Sequence, residues 1–293
     1  MKEIELMNKR KFFMLLSLIF ALFTVGILII NRGLNLGLDF TGGTIIHVKF
    51  NTPTVEILQL RNLLSENKVP TVEIQNVITH TKEYKEFLIK VKSTQEEVSQ
   101  QIEEIFKNNN LSYEIIRREF VGPTIGKHLT RKAFLAIIFS LAGIIVYVAI
   151  RFGSSIWGIS GVIALVHDVF LTVGFLTLLG KEINLTIIAA LLTLAGYSIN
   201  DTIVIFDRIR ENIKLLKKES LIKIIDISIN QTLTRTLLTS GTTLMAVISL
   251  FILGNRIIKD FALTLLFGVI VGTYSSIFIA SALVLEYNLI TQK

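Results

Sequence analysis

Six apolar runs, at residues 12–30, 133–150, 156–179, 183–206, 236–253 and 261–284, constrain this chain more than any other feature. Each is about 18–24 residues long, close to the ~20 that an α-helix needs to cross ~30 Å of hydrocarbon. With no water in the bilayer core, a spanning segment must satisfy its own backbone, which makes helix the expected state of each run. Overall the chain is 51% hydrophobic and 18% charged, with three prolines in 293 residues and a mean hydropathy of +0.62. That balance belongs to a multispanning α-helical membrane protein, not a soluble enzyme. The first run exceeds the usual ~7–15-residue core of a signal peptide and no A-x-A site follows it, so it reads as an uncleaved first span.

A net charge of +7 and an isoelectric point near 9.5 would admit a nucleic-acid partner. The lysines and arginines, however, flank the apolar runs, where they orient helices against a membrane. No nucleic-acid partner is expected. The chain contains no cysteine, which excludes disulfides, thiolate metal sites and cysteine nucleophiles.

Residues 31–132 contain no run of spanning length. Residues 38–50 end in a strand pattern, 54–68 have helical periodicity, and 72–79 with 86–92 alternate as a strand pair across the turn-prone HTKEY. Residues 94–109 open on a capping box from Thr94 to Glu97 and place Val98, Ile102, Ile105 and Phe106 on one face. Residues 111–120 read as a last strand. The order β-α-β-β-α-β is that of a ferredoxin-like α+β domain, for which about 90 residues suffice. Gly37, Gly42 and Gly43 around Asp39 predict a tight turn between the first span and the first strand.

Six spans place both termini on one side. With that side cytoplasmic, the inner segments hold thirteen lysines and arginines: four within 2–11, Arg151, seven within 207–236, and Lys293. The short outer loops hold three, Lys181, Arg256 and Lys259. Arg131 and Lys132 press the other way, but large translocated domains are largely indifferent to charge and the short loops decide. The expected division is a cytoplasmic 1–11, a first span 12–30, an extracytoplasmic domain 31–132, and spans two to six within 133–284. A cytoplasmic loop 207–235 and a cytoplasmic tail 285–293 complete it. Within the loop, 219–231 puts Leu221, Ile224, Ile225 and Ile229 on one face, as expected either of a short helix lying in the interface or of a solvated connector.

Polar groups at membrane depth are the candidate functional residues. Asp201, beside Asn200, lies in the fourth run; Asp168, beside His167, lies near the middle of the third; Arg235 opens the fifth. An aspartate within a spanning helix costs roughly 2.5–3.5 kcal/mol on insertion scales, so its default reading is functional. Tyr197 is four residues before Asp201 on the same helix face. Arg235 is followed by a hydroxyl track of Thr236, Thr239, Ser240, Thr242 and Thr243, preceded by Thr232. Packing of spans four and five would pair Asp201 with Arg235, with hydroxyls that donate and accept leading inward. Burial and a guanidinium act in opposite senses on the proton of such a carboxyl, and an arginine that moves makes the pair a proton-coupling device.

Structural alternatives stand beside each reading. Asp201 can serve as an interhelical hydrogen bond, Asp168 can be satisfied locally by His167, Arg235 can be a topology anchor, and the threonines can simply pack. Arg208, Arg210 and the lysines after them read as topology determinants. Gly158, Gly161, Gly174, Gly180 and Gly196 read as points of close helix approach. The His-Asp neighbours lack a third ligand at useful spacing for a metal. No P-loop, G-x-S-x-G or H-E-x-x-H motif occurs. No enzymatic activity and no cofactor are expected, and energy must come from an ion gradient or a partner.

The stretches GLDFTGG (37–43), VGPTIG (121–126), ALVHD (164–168), GYSINDTIVIFDRIREN (196–212) and INQTLTRTLLTSGTT (229–243) resemble, in order and spacing, the SecF family of bacterial protein export, within the RND superfamily. The resemblance covers essentially the whole chain, and the fourth stretch is its most specific part. It implies an RND-type half-bundle of six spans completed by SecD, in the bacterial inner membrane. It also implies a role beside the SecYEG channel and the SecA motor, with YajC and YidC as further partners. There the proton-motive force would help move a translocating unfolded polypeptide in a lipid setting. In that family the positions of Asp201 and Arg235 belong to the proton pathway, with Asn200, Asp168 and His167 as lesser members; the major aspartate lies on SecD. The alternative is an RND-type proton-driven transporter of a small molecule or lipid, for which an outer domain of about 90 residues leaves little room. A passive scaffold near the channel is the third reading.

Overall fold

A computed structural model describes residues 4–52, 55–77, 84–91, 93, 97–153 and 155–291. After a 3-10 turn at Met7–Lys9, the elements in chain order are α1 (Arg10–Ile30), α2 (Leu38–Thr41), β1 (Gly43–Phe50), α3 (Ile57–Glu66), β2 (Thr71–Val77), β3 (Lys85–Val91), α4 (Val98–Asn108) and β4 (Tyr113–Val121). Then follow α5 (Pro123–Phe152), α6 (Ser155–Leu178), α7 (Leu185–Leu215), α8 (Leu221–Leu253) and α9 (Arg256–Ser275), which a π turn at Ser276–Ala280 joins to α10 (Ser281–Thr291). The chain divides into two compact units, Leu36–Phe134 and the remainder.

The smaller unit is the ferredoxin-like domain. Its sheet has the order β2-β3-β1-β4, antiparallel throughout. Strict alternation in β1 sends Ile46, Val48 and Phe50 to one face, where Val48 stands opposite Phe87 and Ile46 opposite Ile89 on β3. Leu60 and Leu64 of α3 and Ile102 and Phe106 of α4 close over that face, all fully buried. Phe50 packs edge-on against both Phe87 and Phe106, with centroids 5.8 and 5.3 Å apart. The Thr94 end of the expected capping box and most of the HTKEY turn lie outside the described residues.

The glycine-rich link is more compact than a simple turn. One helical turn, α2, closes with the Gly42 amide donating to the Leu38 carbonyl, and Gly42 and Gly43 both take positive φ (75° and 146°). A Cβ on Gly43 would also collide with Leu38 and the Val91 carbonyl, so both conformation and space demand glycine there.

The larger unit is helical. Among the described residues six helical segments are long and apolar enough to cross a membrane: Met7–Ile30, α5, α6, α7, α8 and the last span Ile257–Thr291. Three starts are capped by side chains, from Asn184 to the Ile187 amide, Ser220 to Lys223 and Asn255 to Ile258. α7 is the axle. Its buried positions, among them Ile187, Leu191, Leu194, Ser198, Asp201, Ile205 and Ile209, point into neighbouring helices. Close approach is set by glycines of those neighbours: an added Cβ on Gly161 would press on Ile199, one on Gly268 would collide with Leu194, and one on Gly174 with Thr24 of α1. Around Gly158, Gly180 and Gly196 there is no such crowding, so the close-approach reading fits only part of the glycine set.

Two expected boundaries move. The loop drawn over 207–235 is helical at both ends: α7 runs to Leu215, α8 begins at Leu221, and only 216–220 lies between them. Of residues 219–231, 219 and 220 end the short connection and 221–231 are helical. The helical part forms the first turns of α8, continuous with the fifth span because no proline or glycine interrupts 220–240. The apolar face of Ile224, Ile225 and Ile229 is buried, and Ile225 and Ile229 pack in the core with Phe206 and Ile209. Polar contacts between α7 and α8 continue past the apolar run, with Asn212 donating to Ser228 and Gln231 and Arg208 to Gln231. Earlier in the chain, α5 begins at Pro123, so residues 123–132 are the first turns of the helix that continues into the second span.

The segment before α1 is held by α8. Asp226 Oδ1 accepts the amides of Leu6 (2.9 Å) and Met7 (2.8 Å), while the Asn230 side chain accepts from the Ile4 amide (3.1 Å) and donates to its carbonyl (2.9 Å). Arg10 then pairs with Glu286 at 2.7 Å.

Candidate functional site: a polar seam among α6, α7, α8 and the last span

The apolar core of the helical unit is interrupted at one level by a group of buried oxygens. Asp201 is 4% exposed and Asp168 is 0% exposed. An ion taken out of water is tolerated only where it is paired or hydrogen-bonded, and the two carboxyls meet that requirement differently.

Asp168 is densely solvated by protein. Ser198 of α7 donates to its Oδ2 at 2.5 Å and Ser275, the last residue of α9, donates to the same oxygen at 2.7 Å. His167 Nδ1 lies 3.0 Å from Oδ1. The adjacent Gly272 admits this arrangement, since a Cβ there would press on Ser198 at 3.1 Å and stand 3.6 Å from Asp168 Oδ2.

Asp201 has far less. Among the described residues its one hydrogen bond is from Ser240 of α8 at 3.4 Å. Ser240 is in turn 2.8 Å from Thr273 Oγ1 of α9 and receives the Tyr197 hydroxyl at 3.4 Å, so the shared face of Tyr197 and Asp201 converges on that serine. Arg235 lies on the exposed side of α8, one position from buried Thr236. Among the described residues no hydrogen bond or ion pair joins its guanidinium to the Asp201 carboxyl. α7 and α8 do pack together, and Ser240 takes the place at Asp201 that the sequence suggested for Arg235.

Asn200 is exposed, one position around the helix from buried Asp201. The hydroxyl track is discontinuous. Thr239 and Thr242 donate back to carbonyls of their own helix, as does Thr232, and among the described residues only Ser240 of this track bonds across to other helices. Buried Thr232, Thr236 and Ser240 form its inward face.

Several members of the seam were not singled out in the sequence: Ser198, Thr202, Gly272, Thr273, Ser275 and Ser276. Thr202 and Ser276 meet at 2.8 Å, and Ser276 also donates to the Gly272 carbonyl. The signal was present as the run GTYSS at 272–276 within an otherwise apolar span. It sits where the last span leaves α-helical register for the π turn Ser276–Ala280, a deviation that is rare in helices and often found at functional sites.

Known proteins carry the same plan. A family described as "Protein export membrane protein SecD/SecF, C-terminal" matches residues 101–289, and the "SecD/SecF GG Motif" matches 27–54, around Gly42 and Gly43.

The chain belongs to the SecD/SecF family.

Similar members of the SecD/SecF family include the protein translocase subunit SecF of Calditerrivibrio nitroreducens, 46% identical over 96% of this chain and 93% of that one. Another is the protein translocase subunit SecF of Endomicrobium trichonymphae, 40% identical over 98% of this chain and 91% of that one. Among solved structures, the crystal structure of SecDF, a translocon-associated membrane protein from Thermus thermophilus, superposes with a TM-score of 0.86 at 39% identity. It is covered by 98% of this chain, which spans only 39% of the SecDF chain. The SecD/SecF relationship and the six candidate spans make this a multi-pass membrane protein.

Proposed function

We propose that the chain is the smaller subunit of a SecD–SecF complex in the bacterial inner membrane, with both termini cytoplasmic and residues 36–122 outside. It assists Sec-dependent export, coupling the proton-motive force to late movement or release of the translocating polypeptide, and performs no covalent chemistry of its own. Membership in the SecD/SecF family supports the export role, and the shared extent with a longer SecDF chain supports SecD as the completing partner. The uneven distribution of lysine and arginine supports the orientation.

The observation that carries the coupling is Asp201: a buried carboxyl inside a span, held among the described residues by one long hydrogen bond from Ser240. A carboxyl so lightly solvated exchanges its proton when its surroundings shift, whereas a saturated one does not. Asp201 is the proton-loading group, Arg235 the counter-charge and Ser240 the hydroxyl between α7, α8 and α9. Asn200 faces outward beside Asp201, and Asp168 with His167 completes the seam.

The test uses the chain assembled with its SecD partner in sealed vesicles. Asp201→Asn is expected to leave the complex intact by co-purification and to abolish the stimulation of export by a proton gradient. Stimulation equal to that of the unaltered chain would refute the coupling role.

A further inference from the structure

Asp168 has the surroundings of a side chain held in one position. Both serine contacts converge on Oδ2, and the third, from His167 Nδ1, falls on Oδ1. The histidine proton is placed by its other nitrogen. Nε2 of His167 is buried and has no protein partner among the described residues. An orphaned buried N–H is rarer than an under-used acceptor, so the proton belongs on Nδ1, where it donates to Asp168. Three side chains then hold one carboxyl, and Ser275, whose hydroxyl also lies 3.2 Å from the Gly272 carbonyl, ties it to the last span.

What this carboxyl holds is the end of α9. Ser275 is bound to Asp168 and Ser276 to Thr202, at the residue pair where α-helix gives way to the π turn. Two residues before Ser275, in the same turn, Thr273 meets Ser240, and Ser240 is the donor to Asp201. A continuous path of contacts runs from Asp168 through the 272–276 turn to Asp201, without direct contact between the two carboxyls. We propose that Asp168 is an anchor that fixes the 272–276 turn of the last span, and through it the Ser240 hydroxyl facing Asp201. Asp168 is thus a positioning residue for Asp201. The proposal rests on the reading of Asp201 as the proton-loading group.

Infrared spectroscopy of the chain with its SecD partner in lipid, recorded across a pH series, separates the two carboxyls. A titrating carboxylic C=O band is expected that disappears in Asp201→Asn and survives, at a shifted frequency, in Asp168→Asn. Ser275→Ala is expected to move the frequency of the surviving band, and Ser275→Thr, which keeps a hydroxyl, to return it. Ser198→Ala gives a milder loss at Asp168 should Asp168→Asn fail to assemble, and it too must shift the surviving band. A surviving band of unaltered frequency in Asp168→Asn, with the assembled complex intact, overturns the anchor. So does a band indifferent to Ser275→Ala, because the path through the last span would then carry nothing. Persistence of every titrating band in Asp201→Asn is a different failure: it sinks the reading of Asp201, while the effect of Asp168→Asn on the frequency of the remaining band still decides whether Asp168 fixes the turn.

Discussion

Ser240 is the residue on which the two sides of the seam meet. It donates to Asp201, contacts Thr273 and receives Tyr197. Removing one neutral hydrogen bond of this kind costs about 0.5–1.5 kcal/mol. Ser240→Ala is accordingly expected to reduce gradient-driven export by up to roughly tenfold, less than Asp201→Asn, with Ser240→Thr close to the unaltered chain. The same vesicle export assay measures all three, and an alanine variant as inactive as Asp201→Asn would place Ser240 in the proton path itself. Asp201 was legible in the sequence because a carboxylate in an apolar run is costly, so its default reading is functional. Ser240 was legible only as one hydroxyl among six, since sequence does not say which hydroxyl turns inward and which bonds its own helix. For Arg235 the position at the start of the run was plain; among the described residues it makes no direct bond to Asp201, because it lies on the exposed side of α8, a 100° step from buried Thr236.

At the scale of elements, the helices that bear the seam are held at close range by glycine. Gly174 of α6 receives Thr24 of α1 so tightly that any side chain must displace it. Gly174→Leu is expected to destabilise the α1–α6 contact by about 1–3 kcal/mol, the usual cost of overpacking. Crosslinking of paired cysteines introduced on α1 and α6 would report this as a loss of yield, while unchanged yield would mean that the contact is loose. Which glycines pack in this way was not visible beforehand, because Gly158 and Gly174 sit in equally apolar surroundings and differ only in the neighbour that tertiary structure supplies. Period and length did reveal the outer domain's strand order and the six spans, since both depend on local pattern. The junction between α7 and α8 was drawn too long for the converse reason. Charge at 207–218 was read as loop, yet charged residues on a helix that outlasts its apolar run remain helical when Asn212, Ser228 and Gln231 give the extension polar contacts.

For the whole molecule, the two units have separate cores. Phe106 and its neighbours Phe50 and Tyr113 belong wholly to the smaller one. Phe106→Ala is expected to cost that unit about 3–5 kcal/mol and to leave the helical unit's melting unchanged. Thermal unfolding followed by proteolysis of the outer domain checks this, and simultaneous loss of both units would show that they unfold as one. The clasp on the first residues has a consequence in time. Ile4 and its partner Asn230 are separated by 226 positions. At a synthesis rate of roughly 5–20 residues per second, Asn230 leaves the ribosome on the order of ten seconds or more after Ile4. The opening residues of the chain therefore wait, undocked, through the birth of four spans, and a bulky fusion placed ahead of Ile4 would hinder the closing of the bundle and not its beginning.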